Sequence, residues 1–329
     1  MAGKFLSYFF LGTTAITVLL FLMATKPVSA PEVLEVLAST ETQPPTETTV
    51  PPENQPPDPR KVACEEVGAK ITAGHIFVYD TGSREMLYCN TESTDSLFPA
   101  SITKLFTAYV ALEILEPDTV VTAGKELGLL QPGSSTAWIA YGSRLTAQML
   151  VEAMLLPSGN DAAFVLAAAA GRALLDKEKA SAKDAVAAFM EEVNRRGQAL
   201  GLVNSHFETP DGYHRDNHYS CPGDLATIGE LALSNEIIAS YAQLQQDSAI
   251  FKSGETITWY NTNRLLNPES AWYCPEAVGL KTGYTKEAGY CLLAAFRNGE
   301  SHILVGIFDS ENKLSRYSDA VDLYHAATQ

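Results

Sequence analysis

Residues 161–175 are rich in alanine and apolar on almost every side of a helix. A helix without a polar face is stable in water only when other elements surround it. Further segments have the periodicity of helices and can supply that cover. These segments are residues 101–116, 145–156, 182–200 and 225–233. The sequence therefore predicts a buried central helix that is enclosed by other helices.

Strand-like segments stand at both ends of this helical region, and their residues are apolar and often β-branched or aromatic. The predicted strands are residues 74–80, 85–89, 276–285, 290–296 and 302–309. Asn298-Gly299 predicts a type I′ hairpin between the last two strands, and residues 315–328 predict a closing helix. This order indicates an α/β (α+β) fold with an antiparallel sheet built from N- and C-terminal strands and a mostly helical subdomain between them.

The N-terminal residues predict export. Lys4 precedes an apolar run at residues 5–24, which is about long enough to cross a bilayer as a helix. Residues 1–30 are therefore either a retained membrane anchor or a signal peptide cleaved after Ala30. Residues 31–60, rich in Pro, Thr and Glu, predict a disordered spacer, and residues 61–329 predict the folded domain. Both alternatives place this domain on the extracytoplasmic face of the membrane or, after cleavage, outside the cell.

The net charge and the spacing of cysteines and histidines argue against a nucleic-acid partner and a metal site. The formal net charge is −16, and phosphate binding needs clustered lysine and arginine, so we expect no nucleic-acid partner. The five cysteines form no CxxC pair, and the sequence does not assign a disulfide. His214 and His218 are four residues apart, but they lie in a polar segment without an evident third zinc ligand. We therefore expect surface histidines, no metal site and no cofactor.

A serine and a lysine one helical turn apart open the first long predicted helix, in Ser101-Ile102-Thr103-Lys104. Spacing of three puts both side chains on one face, and the helix N-terminus favours developing negative charge. A lysine can act as the base for a serine nucleophile when burial or a second cation lowers its pKa. Ser310-Glu311-Asn312-Lys313 has the same spacing but lies at a strand end, so the spacing alone is weak evidence.

Two further short motifs carry polar groups at the edges of predicted elements. Ser158-Gly159-Asn160 lies between Pro157 and the buried central helix, where the alternative interpretation is a helix N-cap. Lys281-Thr282-Gly283 lies on a C-terminal strand, where the alternative is an exposed edge strand protected by a lysine. Gly283 would let a substrate backbone approach closely.

The three motifs in this order resemble the serine D-Ala-D-Ala carboxypeptidases, low-molecular-mass penicillin-binding proteins of peptidase family S11. These proteins share their fold with the serine β-lactamases. The resemblance runs from about residue 65 to the end. It is carried by residues 98–105, 155–162, 209–212, 218–220, 279–285 and 288–290.

The resemblance implies catalytic roles for five residues of this chain. Ser101 would form the acyl-enzyme, and Lys104 would take its proton. Ser158 and Asn160 would relay protons and hold the substrate amide. The backbone N–H groups of Ser101 and Tyr284 would form the oxyanion hole.

The resemblance also implies a substrate and an inhibitor class. Lys281, Thr282 and Gly283 would orient the substrate, and Arg316, after the last strand, would help to bind its terminal carboxylate. The expected partners are a peptidoglycan stem peptide that ends in D-Ala-D-Ala and β-lactams that acylate the same serine. Membrane association would run through the N-terminal segment.

Two other functions on the same fold remain open at this point. A β-lactamase of class A uses a glutamate for deacylation. This chain has no Glu-x-x-Leu-Asn segment between the second and third motifs, and Glu208 is the candidate in the central loop, residues 208–220. A non-catalytic penicillin sensor or peptidoglycan-binding protein would usually have lost the motif serine or lysine, and Ser101 and Lys104 are both present.

Overall fold

The computed structural model describes residues 57–329. The predicted membrane segment and most of the predicted spacer lie outside the described residues. The first element is helix α1 (Pro59–Gly68), which Asp58 caps by accepting a hydrogen bond from the Arg60 N–H at 2.9 Å. Among residues 57–329, no helix is both long and apolar enough to span a bilayer.

A five-stranded antiparallel sheet joins the two ends of the domain, in the order β2-β1-β9-β8-β7. Its strands are β1 (His75–Asp80), β2 (Glu85–Cys89), β7 (Ala277–Thr285), β8 (Gly289–Asn298) and β9 (Ser301–Ser310). The first strand pairs with the last, with His75 opposite Phe308 and Asp80 opposite Ile303. The predicted sheet of N- and C-terminal strands is confirmed, and β7 forms one of its edges.

The predicted central helix is confirmed as α4 (Asn160–Leu174), whose residues 160–168 are all buried. It packs against its helical neighbours and approaches α5 very closely, because a Cβ on Gly171 would lie 1.8 Å from the Ala185 carbonyl oxygen. The other helices are α2 (Thr103–Ile114), α3 (Ala147–Leu155), α5 (Ala182–Ala199), α6 (Pro222–Ser234), α7 (Glu236–Ala242) and α8 (Ser315–Ala327).

The sheet is buried on both faces. Alternate residues of β8 point to opposite sides, so that Leu293 and Ala295 join the core shared with the helical region. Leu292 and Phe296 instead join a second core on the other face, together with Leu323 of α8. The sheet therefore lies between two helical layers, which explains why its C-terminal strands are almost continuously apolar.

Several local predictions differ from the structure. The helix predicted from residue 101 begins as a 3₁₀ turn, Ala100–Ile102, before α2. The predicted hairpin forms, but its turn is not type I′. Gly299 and Glu300 are the two loop residues, and only Gly299 has a positive φ, of 60°. A positive φ at the first loop residue alone is the type II′ pattern. Four short strands were missed, namely β3 (Val120–Thr122), β4 (Arg144–Thr146), β5 (Gln246–Ile250) and β6 (Thr256–Tyr260).

Candidate active site

A cleft of about 1000 Å³ lies between edge strand β7, the 3₁₀ turn before α2 and the loop before α4. Seven of the predicted site residues line it, namely Ser101, Ser158, Asn160, Thr282, Gly283, Tyr284 and Arg316. Lys104 and Lys281 are fully buried behind this lining. The three motifs, far apart in sequence, therefore meet at one place.

Ser101 is held in the 3₁₀ turn, with Lys104 one turn further on. The Lys104 ammonium nitrogen lies 2.8 Å from the Ser101 hydroxyl oxygen, within hydrogen-bond distance. Ala100, which precedes the serine, has a φ of 48°, a left-handed conformation that costs a residue with a Cβ about 1 kcal/mol. The turn thus presents the serine at the cleft while the lysine stays buried.

Lys104 makes two further hydrogen bonds that fix its nitrogen. It donates to the Asn160 side-chain oxygen and to the Asp211 carbonyl oxygen, both at 2.8 Å. Burial lowers the pKa of Lys104 to about 8, although Asp211 and Asp161 nearby oppose the shift. The sequence prediction also invoked a second cation, but burial is the main cause here.

Lys281 lies on β7 and donates a hydrogen bond to its neighbour's carbonyl, the Thr282 oxygen, at 3.0 Å. Burial, together with the charges of Lys104 and Arg316, lowers the pKa of Lys281 well below the ordinary value for lysine. The alternative of an exposed lysine that protects an edge strand is therefore wrong, since Lys281 is buried.

The Ser158-Gly159-Asn160 loop is fixed by a residue that the motifs did not predict. The Ser135 hydroxyl donates to the Ser158 carbonyl at 2.6 Å, and its oxygen also lies 3.3 Å from the Asn160 side-chain oxygen. Ser158 has a φ of 64°, and the N-cap of α4 is Gly159, without any side-chain capping bond. The N-cap interpretation of Ser158 and Asn160 is therefore wrong.

Strand β7 packs directly against the 3₁₀ turn that holds Ser101. A Cβ on Gly283 would lie 3.1 Å from the Ser101 backbone nitrogen and 3.0 Å from the Ala100 Cβ, so glycine permits this approach. Thr282 shares a 2.6 Å hydrogen bond between hydroxyls with Thr262, a second cleft residue that the sequence did not indicate. The role of the backbone N–H groups of Ser101 and Tyr284 as an oxyanion hole stays a prediction.

Arg316 is buried in the wall of the cleft, and its guanidinium donates hydrogen bonds to main-chain carbonyl oxygens. One terminal nitrogen donates to the carbonyls of Gly283 at 3.0 Å and Cys291 at 2.7 Å, and the other donates to the Tyr317 hydroxyl at 3.1 Å. The arginine therefore ties β7 to β8 beside Ser101. Its predicted contact with a substrate carboxylate stays a prediction.

His218 supports the loop that supplies the Asp211 carbonyl. Its Nδ1 accepts hydrogen bonds from the Glu208 and Thr209 N–H groups, so Nε2 carries the proton and donates to the Thr103 hydroxyl at 2.9 Å. Burial lowers the pKa of His218 to about 3. The prediction of a surface histidine is wrong for this residue, and both ring nitrogens are already occupied, which excludes a zinc ligand.

The second Ser-x-x-Lys match makes no comparable pair. Ser310 is buried and donates to the Asn312 carbonyl at 3.1 Å, whereas Lys313 is exposed at the outer cleft. None of the five cysteines forms a disulfide, and all five lie within the described residues. Cys221 caps α6 by accepting a hydrogen bond from the Asp224 N–H at 3.4 Å.

The sequence profile of D-alanyl-D-alanine carboxypeptidase, peptidase family S11, matches residues 61–312, and the chain belongs to this family. The D-alanyl-D-alanine carboxypeptidase DacF of Bacillus subtilis is 28% identical over 254 residues, which cover 76% of this chain and 60% of that protein. The D-alanyl-D-alanine carboxypeptidase of Streptomyces sp. strain K15 is 31% identical, with 77% of this chain and 86% of that protein covered.

Solved structures show the same fold. The crystal structure of the Streptomyces K15 DD-transpeptidase superimposes with a TM-score of 0.70 at 30% identity, covering 78% of this chain and 97% of that one. The predicted β-lactamase/transpeptidase-like fold is therefore confirmed.

Proposed function

We propose that the protein is a serine D-Ala-D-Ala carboxypeptidase that removes the terminal D-alanine from peptidoglycan stem peptides. The proposal depends mainly on Lys104, whose buried nitrogen contacts the Ser101 hydroxyl, Asn160 and the Asp211 carbonyl at 2.8 Å each. A lysine held in this way, with its pKa lowered to about 8, is suited to take a proton from serine near neutral pH.

In the proposed acylation step, neutral Lys104 takes the Ser101 proton as the oxygen attacks the carbonyl between the two D-alanines. The negative charge that develops on the carbonyl oxygen is stabilised by the backbone N–H groups of Ser101 and Tyr284. Asn160 holds the substrate amide, and the Ser158 hydroxyl relays the proton from Lys104 to the D-alanine nitrogen. The C–N bond then breaks, D-alanine leaves and the acyl group stays on Ser101. Water then hydrolyses the acyl-enzyme.

Substrate recognition is proposed to involve the β7 side of the cleft. The Thr282 hydroxyl, oriented by Thr262, and the Arg316 guanidinium attract the terminal carboxylate, while Lys281 is buried behind them. A β-lactam presents a similar carboxylate beside a strained amide, so it is expected to acylate the same serine.

Glu208 favours a carboxypeptidase over a class A β-lactamase. Its side chain is exposed and is not among the residues that line the cleft. Fast deacylation by the class A route needs a glutamate that activates water beside the acyl-enzyme. A non-catalytic sensor is disfavoured because Ser101 and Lys104 are both present and are in contact.

Release of D-alanine from a peptide ending in D-Ala-D-Ala tests the proposal. Because acylation needs uncharged Lys104, kcat/KM should rise about tenfold per pH unit below pH 8 and level off above it. Coupled detection of free D-alanine between pH 5 and 9 would measure this profile. Absence of release by the folded protein would overturn the function, and a flat profile would remove Lys104 as the base.

Replacing Arg316 by alanine separates two roles of this residue. We expect slower hydrolysis of all peptides, because the hydrogen bonds to Gly283 and Cys291 that hold β7 are lost. If the guanidinium also attracts the substrate, a free-acid peptide should lose about tenfold more in kcat/KM than its C-terminal amide. Equal losses for the two peptides would assign Arg316 to the support of β7 alone.

For location, we propose that residues 1–30 export the domain and that the Pro-rich spacer separates it from the membrane. The apolar run at 5–24 and the acidic, Pro-rich residues 31–60 support this arrangement. Mass spectrometry of the native N-terminus decides between anchor and signal peptide: a mature chain beginning at Pro31 means cleavage.

A further inference from the structure

Two aromatic side chains are exposed to solvent on the loop of residues 131–143, which forms one wall of the cleft. Trp138 is 79% exposed and Tyr141 is 74% exposed. Tryptophan is usually largely buried, and an exposed ring on a soluble protein commonly serves recognition. The catalytic proposal gives neither residue a role.

The backbone on both sides of Trp138 is held by hydrogen bonds. The buried carboxylate of Asp161, on the first turn of α4, accepts hydrogen bonds from the N–H groups of Ala137 at 2.8 Å and Ile139 at 3.0 Å. The Ala137 carbonyl also accepts a bond at 3.0 Å from the indole of Trp259, which is buried. The residues on both sides of Trp138 are thus fixed to the protein core, while its own ring is left outside.

Trp138 is also held in an unfavourable conformation. Its φ is 62°, in the left-handed region that favours glycine, and non-glycine residues there cost about 1 kcal/mol or more. Glycine at this position would relieve the strain. An exposed tryptophan in its place contributes little to packing, so the stability of the fold does not account for this residue at a strained position.

The loop is chemically neutral. Residues 131–143 contain no charged side chain or histidine, although charged residues make up 19% of the chain. They contain hydroxyl and amide groups, from Ser134, Ser135, Thr136 and Gln131, beside the two aromatic rings. A surface that binds peptide carboxylates or anionic lipid head groups is expected to present lysine or arginine side chains. A neutral ligand rich in hydroxyl groups with an apolar C–H face fits this surface.

The loop is continuous with the cleft. Ser134 and Ser135 line it, and the Ser135 hydroxyl contacts Asn160, which contacts Lys104. Trp138 is three positions after Ser135, a span of at most about 11 Å. A stem peptide joins its sugar about four residues before the D-Ala-D-Ala bond, about 13 Å when extended. A substrate in the cleft can therefore bring its sugar within reach of this loop.

We propose that Trp138, with Tyr141, forms a subsite for the N-acetylated amino sugar that carries the stem peptide. The C–H face of the pyranose ring stacks on the exposed indole, and loop hydroxyls meet the sugar hydroxyls. The inference depends on the proposed function for the position of the peptide. It makes the enzyme selective for glycan-attached stem peptides over free peptides.

Matched substrates test this subsite: a disaccharide pentapeptide and the same pentapeptide without sugar. We expect the wild type to prefer the sugar-bearing substrate about tenfold in kcat/KM, and Trp138→Ala to abolish that preference without changing the free-peptide rate. Trp138→Phe should retain part of the preference. Tyr273→Ala removes another exposed aromatic ring, outside the cleft, and should behave as wild type. Equal rates on both substrates, or a preference that survives in Trp138→Ala, would overturn the subsite.

A binding assay separates failure of the subsite from failure of the proposed function. A tetramer of N-acetylglucosamine should change the tryptophan emission of Ser101→Ala, and the change should vanish when Trp138→Ala is added. This readout needs no catalysis, so it would persist if D-alanine were never released. Emission that responds to anionic phospholipid vesicles but not to the saccharide would overturn the proposal in favour of a membrane surface.

Discussion

Penicillin should leave one penicilloyl group on Ser101 of each folded molecule, and Lys104→Ala should slow this labelling by a factor of about a thousand. Removing a general base usually costs between about 10² and 10⁴ in rate. The loss would be about 10² if a water molecule took the place of the lysine and accepted the serine proton. Here the lysine also anchors Asn160 and the Asp211 carbonyl, so its loss disturbs the site as well.

Intact-mass measurement of the adduct over time, followed by peptide mapping, gives the rate and the site. The second Ser-x-x-Lys match supplies a matched control, since Ser310→Ala removes the same hydroxyl from a residue that does not line the cleft. Ser310→Ala should label at the wild-type rate, and Ser101→Ala should not label. An adduct on Ser310, or unchanged labelling in Lys104→Ala, would contradict the assignment of the nucleophile and the base.

The adduct should also persist for much longer than it does on a β-lactamase. The opened β-lactam keeps its leaving group attached, where it can block the approach of water. Glu208, the candidate deacylating residue in the central loop, is exposed and does not line the cleft. Rapid turnover of nitrocefin by the folded protein would count against this expectation.

The sequence predicted the parts of the site that depend on side-chain type and local spacing. Ser101 and Lys104 had to meet, because three residues make about one helical turn. The sheet was predictable too, since strands at both ends of a single domain can satisfy their backbone groups by pairing with each other. The apolar segment at 161–175 gave the buried helix directly.

Other parts of the site depend on contacts that leave no mark in the sequence. The Asp211 carbonyl that holds Lys104 is a backbone group, which every residue has. Ser135 and Thr262 are ordinary polar residues until the fold brings them to Asn160 and Thr282. His218 was misassigned because the polar residues around it indicated the surface, whereas its ring is buried against the Thr103 hydroxyl.

The position of the Asp211 carbonyl should depend strongly on the residue that follows it. Gly212 has a φ of 78°, and a Cβ there would lie 1.9 Å from the Ala100 carbonyl oxygen. Both atoms belong to rigid backbone, so Gly212→Ala must push the central loop away from the nucleophile turn. Displacing a catalytic group by about 1 Å commonly costs a hundredfold in rate. We therefore expect penicillin acylation of Ser101 to slow by about that factor.

Gly201 offers a control with the same backbone conformation and no clash. Its φ is 86°, and nothing lies within 4 Å of the position of an added Cβ. Gly201→Ala should cost only the left-handed strain, about 1 kcal/mol of unfolding free energy, and should leave acylation unchanged. Gly212→Ala should cost about 3 kcal/mol or more, because the overlap adds to the same strain.

Chemical denaturation and acylation rates, measured well below both melting temperatures, separate the two effects. At such a temperature nearly all molecules of each variant are folded, so a lower stability alone does not slow labelling. A slower rate in Gly212→Ala then reports the displaced Asp211 carbonyl and, through it, the Lys104 nitrogen that it holds at 2.8 Å. Wild-type acylation in a destabilised but folded Gly212→Ala would mean that this carbonyl is dispensable, and that the contact of Lys104 with Asn160 is sufficient to position the base.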